Sequence, residues 1–252
     1  MKGIILAAGR GSRMGSATDQ RPKCLTVLAG KTLLDWQIEA LKASGVHPLA
    51  AVTGYQAEAL QDSRYSTFHN PRWTETNMVL SLATAAIWLR EEPCIVSYGD
   101  IVYHPEIVKQ LCFAEGDIVI TYDRLWQSLW AARFPDPLAD AESFEVDEHG
   151  RLLEIGQDVQ SLVETKGQYM GLFKITPNGW DEISSLLWNM SSLQRDKLDM
   201  TALLNLLLKR SAAIRTVAVD GRWCEVDSVS DLNLYEETIQ QDGTWPHDWR
   251  FT

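Results

Sequence analysis

Between Leu6 and Lys23 the chain gathers small, hydroxylic and cationic residues in an order suited to holding a phosphate chain. The run is Leu6-Ala7-Ala8-Gly9-Arg10-Gly11-Ser12-Arg13-Met14, and Pro22-Lys23 follows after seven intervening residues. Gly9 and Gly11 have no Cβ, so backbone N–H groups can approach an anion closely, and Arg13 and Lys23 add the positive charge a triphosphate requires. A P-loop is excluded, because Met14 stands at its second glycine and no Lys-[Ser/Thr] pair follows. A dinucleotide fingerprint is excluded too. Met14 replaces its last glycine, and the second strand ends in Thr53-Gly54-Tyr55 where a ribose-binding acid is needed. A triphosphate cradle remains, beside the plain alternative of a glycine turn with solvated charges.

Charge distribution favours the cradle. The chain has 252 residues and a formal net charge of −11, yet residues 1–23 hold five basic side chains (Lys2, Arg10, Arg13, Arg21, Lys23) and one acid, Asp19. An overall acidic protein has placed a local excess of cations next to its first strand. The global charge argues against nucleic acid or an anionic membrane as the main partner.

The elements that must position this loop read as follows. Ile4 to Ala8 is an apolar run without alternation, the pattern of a strand covered on both faces. Thr32 to Ser44 is predicted as a helix stopped by Gly45, Leu49 to Thr53 as the second strand, Met78 to Arg90 as a helix, and Cys94 to Tyr98 as a third strand ending at Gly99-Asp100. Strand, helix, strand, helix, strand implies an α/β fold with a doubly wound, mostly parallel, Rossmann-like mixed sheet flanked by helices. Ligands of such sheets bind beyond the carboxyl ends of the strands, where the glycine loop and Asp100 both fall. Further on, Asp117 to Tyr122 is strand-like, Phe144 to Asp147 and Leu152 to Ile155 form a hairpin, and Gln168 to Ile175 and Ile214 to Val219 are strands. Helices are expected from Thr176-Pro177 to about Asn189, from Met200 to Arg210, and from Asp227-Ser228 through Glu237. One domain of residues 1–252 fits the length, with a nucleotide-binding half at about 1–115 and an acceptor-binding half at about 116–240. The aromatic tail Trp245-Pro246-His247-Asp248-Trp249 docks either on the body or on a second subunit, so a homo-oligomer stays open.

Cys24, Cys94, Cys112 and Cys224 are far apart, and the histidines lack metal-binding spacing, so reduced, buried thiols are expected in place of a zinc site or disulfides. No window of 18 apolar residues could cross a bilayer, and the first apolar run is too short for a signal-peptide core. The expected location is cytoplasmic.

The pattern Leu-Ala-Ala-Gly-x-Gly-Ser-Arg-Met followed by Pro-Lys resembles the signature of the sugar nucleotidyltransferase superfamily. The resemblance implies a nucleoside triphosphate over Leu6, Ala7, Ala8, Gly9, Gly11 and Ser12, with Arg13 and Lys23 gripping its phosphates. It also implies Mg²⁺ held by Asp100 and by Asp227, within Glu225-Val226-Asp227-Ser228, with Glu225 a candidate for an extra ligand. Trp73-Thr74-Glu75-Thr76-Asn77-Met78 replaces the Gln-containing and glycine-rich segments of the hexose-1-phosphate branch. Together with the late Glu-x-Asp-Ser it is closest in pattern to choline-phosphate and aminoethylphosphonate cytidylyltransferases.

The implied reaction is transfer of CMP from CTP to a small phosphorylated or phosphonate headgroup, with release of pyrophosphate. CTP is favoured over purine nucleotides also because a pyrimidine needs less room above Ala7-Ala8. The rivals are a hexose-1-phosphate nucleotidylyltransferase and a silent nucleotide-binding subunit, although the latter usually loses one of Arg13, Lys23, Asp100 and Asp227, all present here. Asn77 is either a ligand of nucleotide and acceptor or simply a helix N-cap. Tyr122, Trp126, Trp130, Tyr169 and Trp223 could cage a cationic headgroup, with Trp130, Tyr169 and Glu225 the chosen acceptor contacts, or could be core packing. Arg124 and Arg133 could receive a carboxylate, and the acidic stretch Asp136 to Glu142 could meet an amine or be simply a solvated loop.

Overall fold

The computed structural model describes residues 1–162, 165–241 and 245–251. Seven strands form the main sheet in the order Ile214–Val219, Ile118–Asp123, Gln168–Ile175, Cys94–Tyr98, Lys2–Ala7, Leu49–Thr53, Ser66–His69. Gln168–Ile175 runs antiparallel to both its neighbours, and the other pairings are parallel. The first strand alternates between two apolar clusters. Ile5 packs with Leu34, Ile38 and Leu41, and Ile4 with Val79, Leu82 and Leu89. Burial on both faces explains the unalternating sequence, each such side chain contributing about 1.5–3 kcal/mol.

The first helix spans Leu33–Ala43 between a Thr32–Asp35 capping box and Gly45 at φ 77°. The helix expected over residues 78–90 is two, Met78–Ala83 and Ala86–Glu91. The Thr84 hydroxyl turns back to donate to the Ser81 carbonyl (2.7 Å), and Ala85 leaves helical geometry at φ −90°, ψ 15°. The last helix begins at Val229, because the Ser228 and Asp231 side chains cap it ahead of the first turn. Residues 126–133 and 105–113, where the sequence predicts no element, form the helices Trp126–Arg133 and Pro105–Phe113.

Two features lie outside the main sheet and matter to function. The hairpin Glu142–Val146 with Leu152–Asp158 packs on the helix Met200–Lys209. A short ribbon pairs Trp223–Glu225 antiparallel with Ile101–Tyr103, setting Glu225 opposite Ile101. The tail docks on the body: Trp249 is fully buried, edge-on to Trp36 at 6.2 Å, and His247 Nε2 lies 2.9 Å from Asp123 Oδ2. Among the described residues no helix is long and apolar enough to cross a membrane.

Candidate active site

The glycine loop leaves the first strand and enters 3-10 turns over Ser12–Thr18. Met14, the residue that spoiled both glycine fingerprints, is 1% exposed and plugs the loop into the core. Gly11 sits at φ 70°, and a Cβ there would lie 2.7 Å from Lys23 Cβ, so only glycine lets the Lys23 stem pass beneath the loop. Gly99 has an equally specific role. A Cβ at that position would meet the Leu6 carbonyl at 2.5 Å, and its absence lets the turn carrying Asp100 close against the first strand.

A cavity of about 300 Å³ opens at the carboxyl ends of these strands. Its wall includes Leu6, Ala7, Ala8, Gly9, Gly11, Ser12, Arg13, Lys23, Asn77 and Asp100. Asn77 both lines the cavity and accepts from Met78 N–H at 2.7 Å as a cap, so its two readings coexist. Trp73, Thr76 and Ser81 also face this space and were not singled out. The signal was available for Ser81, four residues beyond Asn77 and so on the same side of a helical turn.

The ribbon brings the distant carboxylates together. Val226 N–H donates to the Asp100 carbonyl at 2.9 Å, and carboxylate oxygens of Asp100, Glu225 and Asp227 lie within 4.8 Å of one another. Lys23 Nζ donates to Asp100 Oδ2 (2.8 Å) and to Asp227 Oδ1 (2.6 Å), and Arg13 reaches Asp227 Oδ1 at 2.9 Å. Burial alone would lower the Lys23 pKa, but the two carboxylates outweigh it and hold the ammonium above its ordinary value. Burial would raise Asp227, and Lys23, Arg13 and Arg133 more than offset it, keeping that carboxyl below the usual range. Glu225 is pushed up to about 8, by burial first and by the Asp227 charge next.

Arg133 is not a receptor for a carboxylate ligand. Its side chain has no exposure and donates to Glu225 (2.9 Å), Asp227 (3.2 Å) and Asp231 (3.2 Å). Asp231 in turn accepts from the Asp227 and Ser228 N–H groups, so Arg133 and Asp231 brace the acidic turn from behind. Ser228 and Asp231 form a Ser-x-x-Asp capping pattern that was legible but unused. Arg124 lies elsewhere, on the surface, paired with Asp220.

A second cavity, also about 300 Å³, adjoins the first, and Arg13, Met78 and Tyr98 line both. Trp130, Tyr169 and Glu225 are on its wall, with Asp140, Glu142, Asp199 and Asp227. The other three aromatics of the expected cage are structural. Tyr122 stacks on Phe144, Trp126 is buried edge-on to Trp130, and Trp223 donates to Asp123.

The model of the MobA-like NTP transferase domain matches residues 3–154. The chain belongs to the MobA-like NTP transferase family. It is similar to the CTP:phosphoglutamine cytidylyltransferase of Campylobacter jejuni subsp. jejuni, 34% identical over 256 residues, covering 94% of this chain and 100% of that one. Among solved structures it resembles the CTP:phosphocholine cytidylyltransferase of Streptococcus pneumoniae (TM-score 0.71, 20% identity, 94% of this chain and 98% of that one). It also resembles a UDP-glucose pyrophosphorylase complexed with UDP-glucose (TM-score 0.74, 17% identity, 96% and 99%). A fold shared by headgroup and sugar enzymes leaves the substrate to be argued from the site.

Proposed function

We propose that this protein transfers CMP from CTP to the phosphate or phosphonate oxygen of a small headgroup that carries a protonated amine. The observation that carries the reading is the seam between the cavities. Arg13 and Tyr98 face both, while Asp100 borders the first and Glu225 and Asp227 the second. In this reading the triphosphate lies along the glycine loop and the acceptor enters from the acidic side. An acceptor oxygen bonds to the α-phosphorus as the bond to the pyrophosphate oxygen breaks. A phosphate monoester is mostly dianionic near neutral pH, its second pKa being ~6, so no protein nucleophile or strong base is needed. The chain's task is to align two anions that repel each other. Arg13 and Lys23 neutralise the transferring group and the departing pyrophosphate.

The carboxylates fit a divalent cation. Hard oxygen ligands from Asp100, Asp227 and Glu225 are clustered, and Asp100 Oδ1 is buried with no hydrogen-bond partner among the described residues. Bound Mg²⁺ would add charge neutralisation between triphosphate and acceptor. Cytidine as the base is supported by the 34% identical relative. An amine is supported by Asp140, Glu142 and Asp199 lining one cavity together with Trp130 and Tyr169.

The test is pyrophosphate release from four nucleoside triphosphates against phosphocholine, phosphoethanolamine, aminoethylphosphonate, phosphorylated amino acids, glycerol phosphates and hexose 1-phosphates. CTP with an amine-bearing acceptor is the expected pair. Efficient turnover of glucose 1-phosphate with UTP or dTTP, and none with CTP, would overturn the reading.

A further inference from the structure

We infer that Lys23 is a placeholder cation: in the nucleotide-free protein its ammonium holds the carboxylate oxygens a divalent metal needs, and it yields them when a triphosphate offers it another anion. The inference rests on the metal-binding part of the reading above. Its first support is competition for the same atoms. Lys23 Nζ is within hydrogen-bond distance of Asp100 Oδ2 and Asp227 Oδ1, members of the one described cluster of three carboxylates fit for a metal. Two cations cannot share those oxygens at contact distance without strong repulsion in a site so little hydrated.

The second support is the route of departure. Lys23 lies on the wall of the first cavity beside Gly9, Gly11 and Ser12, the segment suited to a phosphate chain. Its stem is fixed under Gly11, so only the far end of the side chain needs to swing. The third is Asp100 Oδ1, buried and without a hydrogen-bond partner among the described residues, which the ammonium on Oδ2 does not satisfy. Behind the cluster Arg133 is locked to three carboxylates, and Arg13 reaches Asp227 Oδ1 but not Asp100, so Lys23 is the exchangeable counter-ion that bridges the two metal-side aspartates. Free protein should therefore bind metal weakly, and metal should enter together with nucleotide.

The experiment titrates Mn²⁺ alone into nucleotide-free protein and follows the loss of the free-ion electron paramagnetic resonance signal. K23Q should bind Mn²⁺ at least about tenfold tighter than wild type, since a competing charge is removed. K23M repeats the test with a different neutral side chain, K23R should remain weak, and D100N in the K23Q background should remove the gain. Equal affinity in wild type and in a folded neutral variant, or a gain that survives D100N, overturns the inference. Failure of the proposed function would look different. Wild type would release no pyrophosphate from CTP with any acceptor, whatever the Mn²⁺ affinities.

Discussion

The two cavities have similar size and opposite construction. The first has one side built by backbone and small side chains of a single short stretch, Leu6 to Arg13, with Lys23 close by in sequence, and is closed by residues of 73–81 and 98–100. The second is assembled from eight separated places in the chain from Arg13 to Asp227, and apart from Arg13 its charges are carboxylates. A polyanion shared by many enzymes can be held by a local motif, whereas an acceptor peculiar to one enzyme is held by whatever the topology brings to the same rim. The carboxylate cluster lies where the two constructions meet, so substitutions on either side should separate them.

The largest effect is expected at the seam itself. Asp100→Asn and Asp227→Asn should each lower kcat about 100- to 1000-fold, the range for losing a preorganised electrostatic contact at the reacting group. Pyrophosphate release, read beside a thermal melt to confirm folding, measures this. Normal turnover in either variant would show that the chemistry takes place away from the junction.

The glycine-loop side of the first cavity was legible because its residues are contiguous and their types are dictated by backbone approach: Gly9, Gly11, Arg13 and Lys23 could be named from spacing alone, whereas Trp73 and Thr76 on its far side could not. The parallel order of the early strands was legible for a related reason, since Ile4 to Ala8 and Cys94 to Tyr98 must be apolar on both faces. The second cavity was not. Trp126 and Trp130 are both buried aromatics one helical turn apart, and only the packing of the helix decides that Trp130 faces the cavity. Arg133 carries no sequence mark that distinguishes a brace for carboxylates from a receptor for them. Its role follows from long-range pairing with Glu225, Asp227 and Asp231, which no local pattern encodes.

That brace supplies the next comparison. Arg133→Met keeps the bulk but takes the counter-ion from Glu225 and Asp231 and leaves Asp227 to Lys23 and Arg13, and removing one partner of such a network costs about 3 kcal/mol or more. A denaturant melt should show the loss in midpoint. The Arg133 contacts lie outside the glycine loop, so CTP binding by the remaining folded protein should change far less than its stability. A variant as stable as wild type would mean that the acidic turn is held by its own caps at Ser228 and Asp231.

The smallest effect, and the one that speaks most directly to the acceptor, concerns the acidic rim. Asp140 and Glu142 face the second cavity, and burial raises the pKa of both carboxyls. As pH falls they therefore lose their charge earlier than ordinary carboxylates, while an acceptor amine stays protonated. The acceptor KM of the wild type, expressed per dianionic acceptor so that titration of its own phosphate (second pKa ~6) is removed, should climb on the acid side of neutrality, beginning above the ordinary carboxylate range. In Asp140→Asn/Glu142→Gln that climb should flatten, and the acceptor KM at neutral pH should start about fivefold higher, equivalent to about 1 kcal/mol for a partly solvated charge pair. The CTP KM should stay within about twofold, because neither residue borders the first cavity. Steady-state kinetics with an amine-bearing phosphorylated acceptor across pH 5–8 checks both statements. An unchanged acceptor KM and pH profile in the double variant would remove the amine from the proposed headgroup and leave these carboxylates as rim.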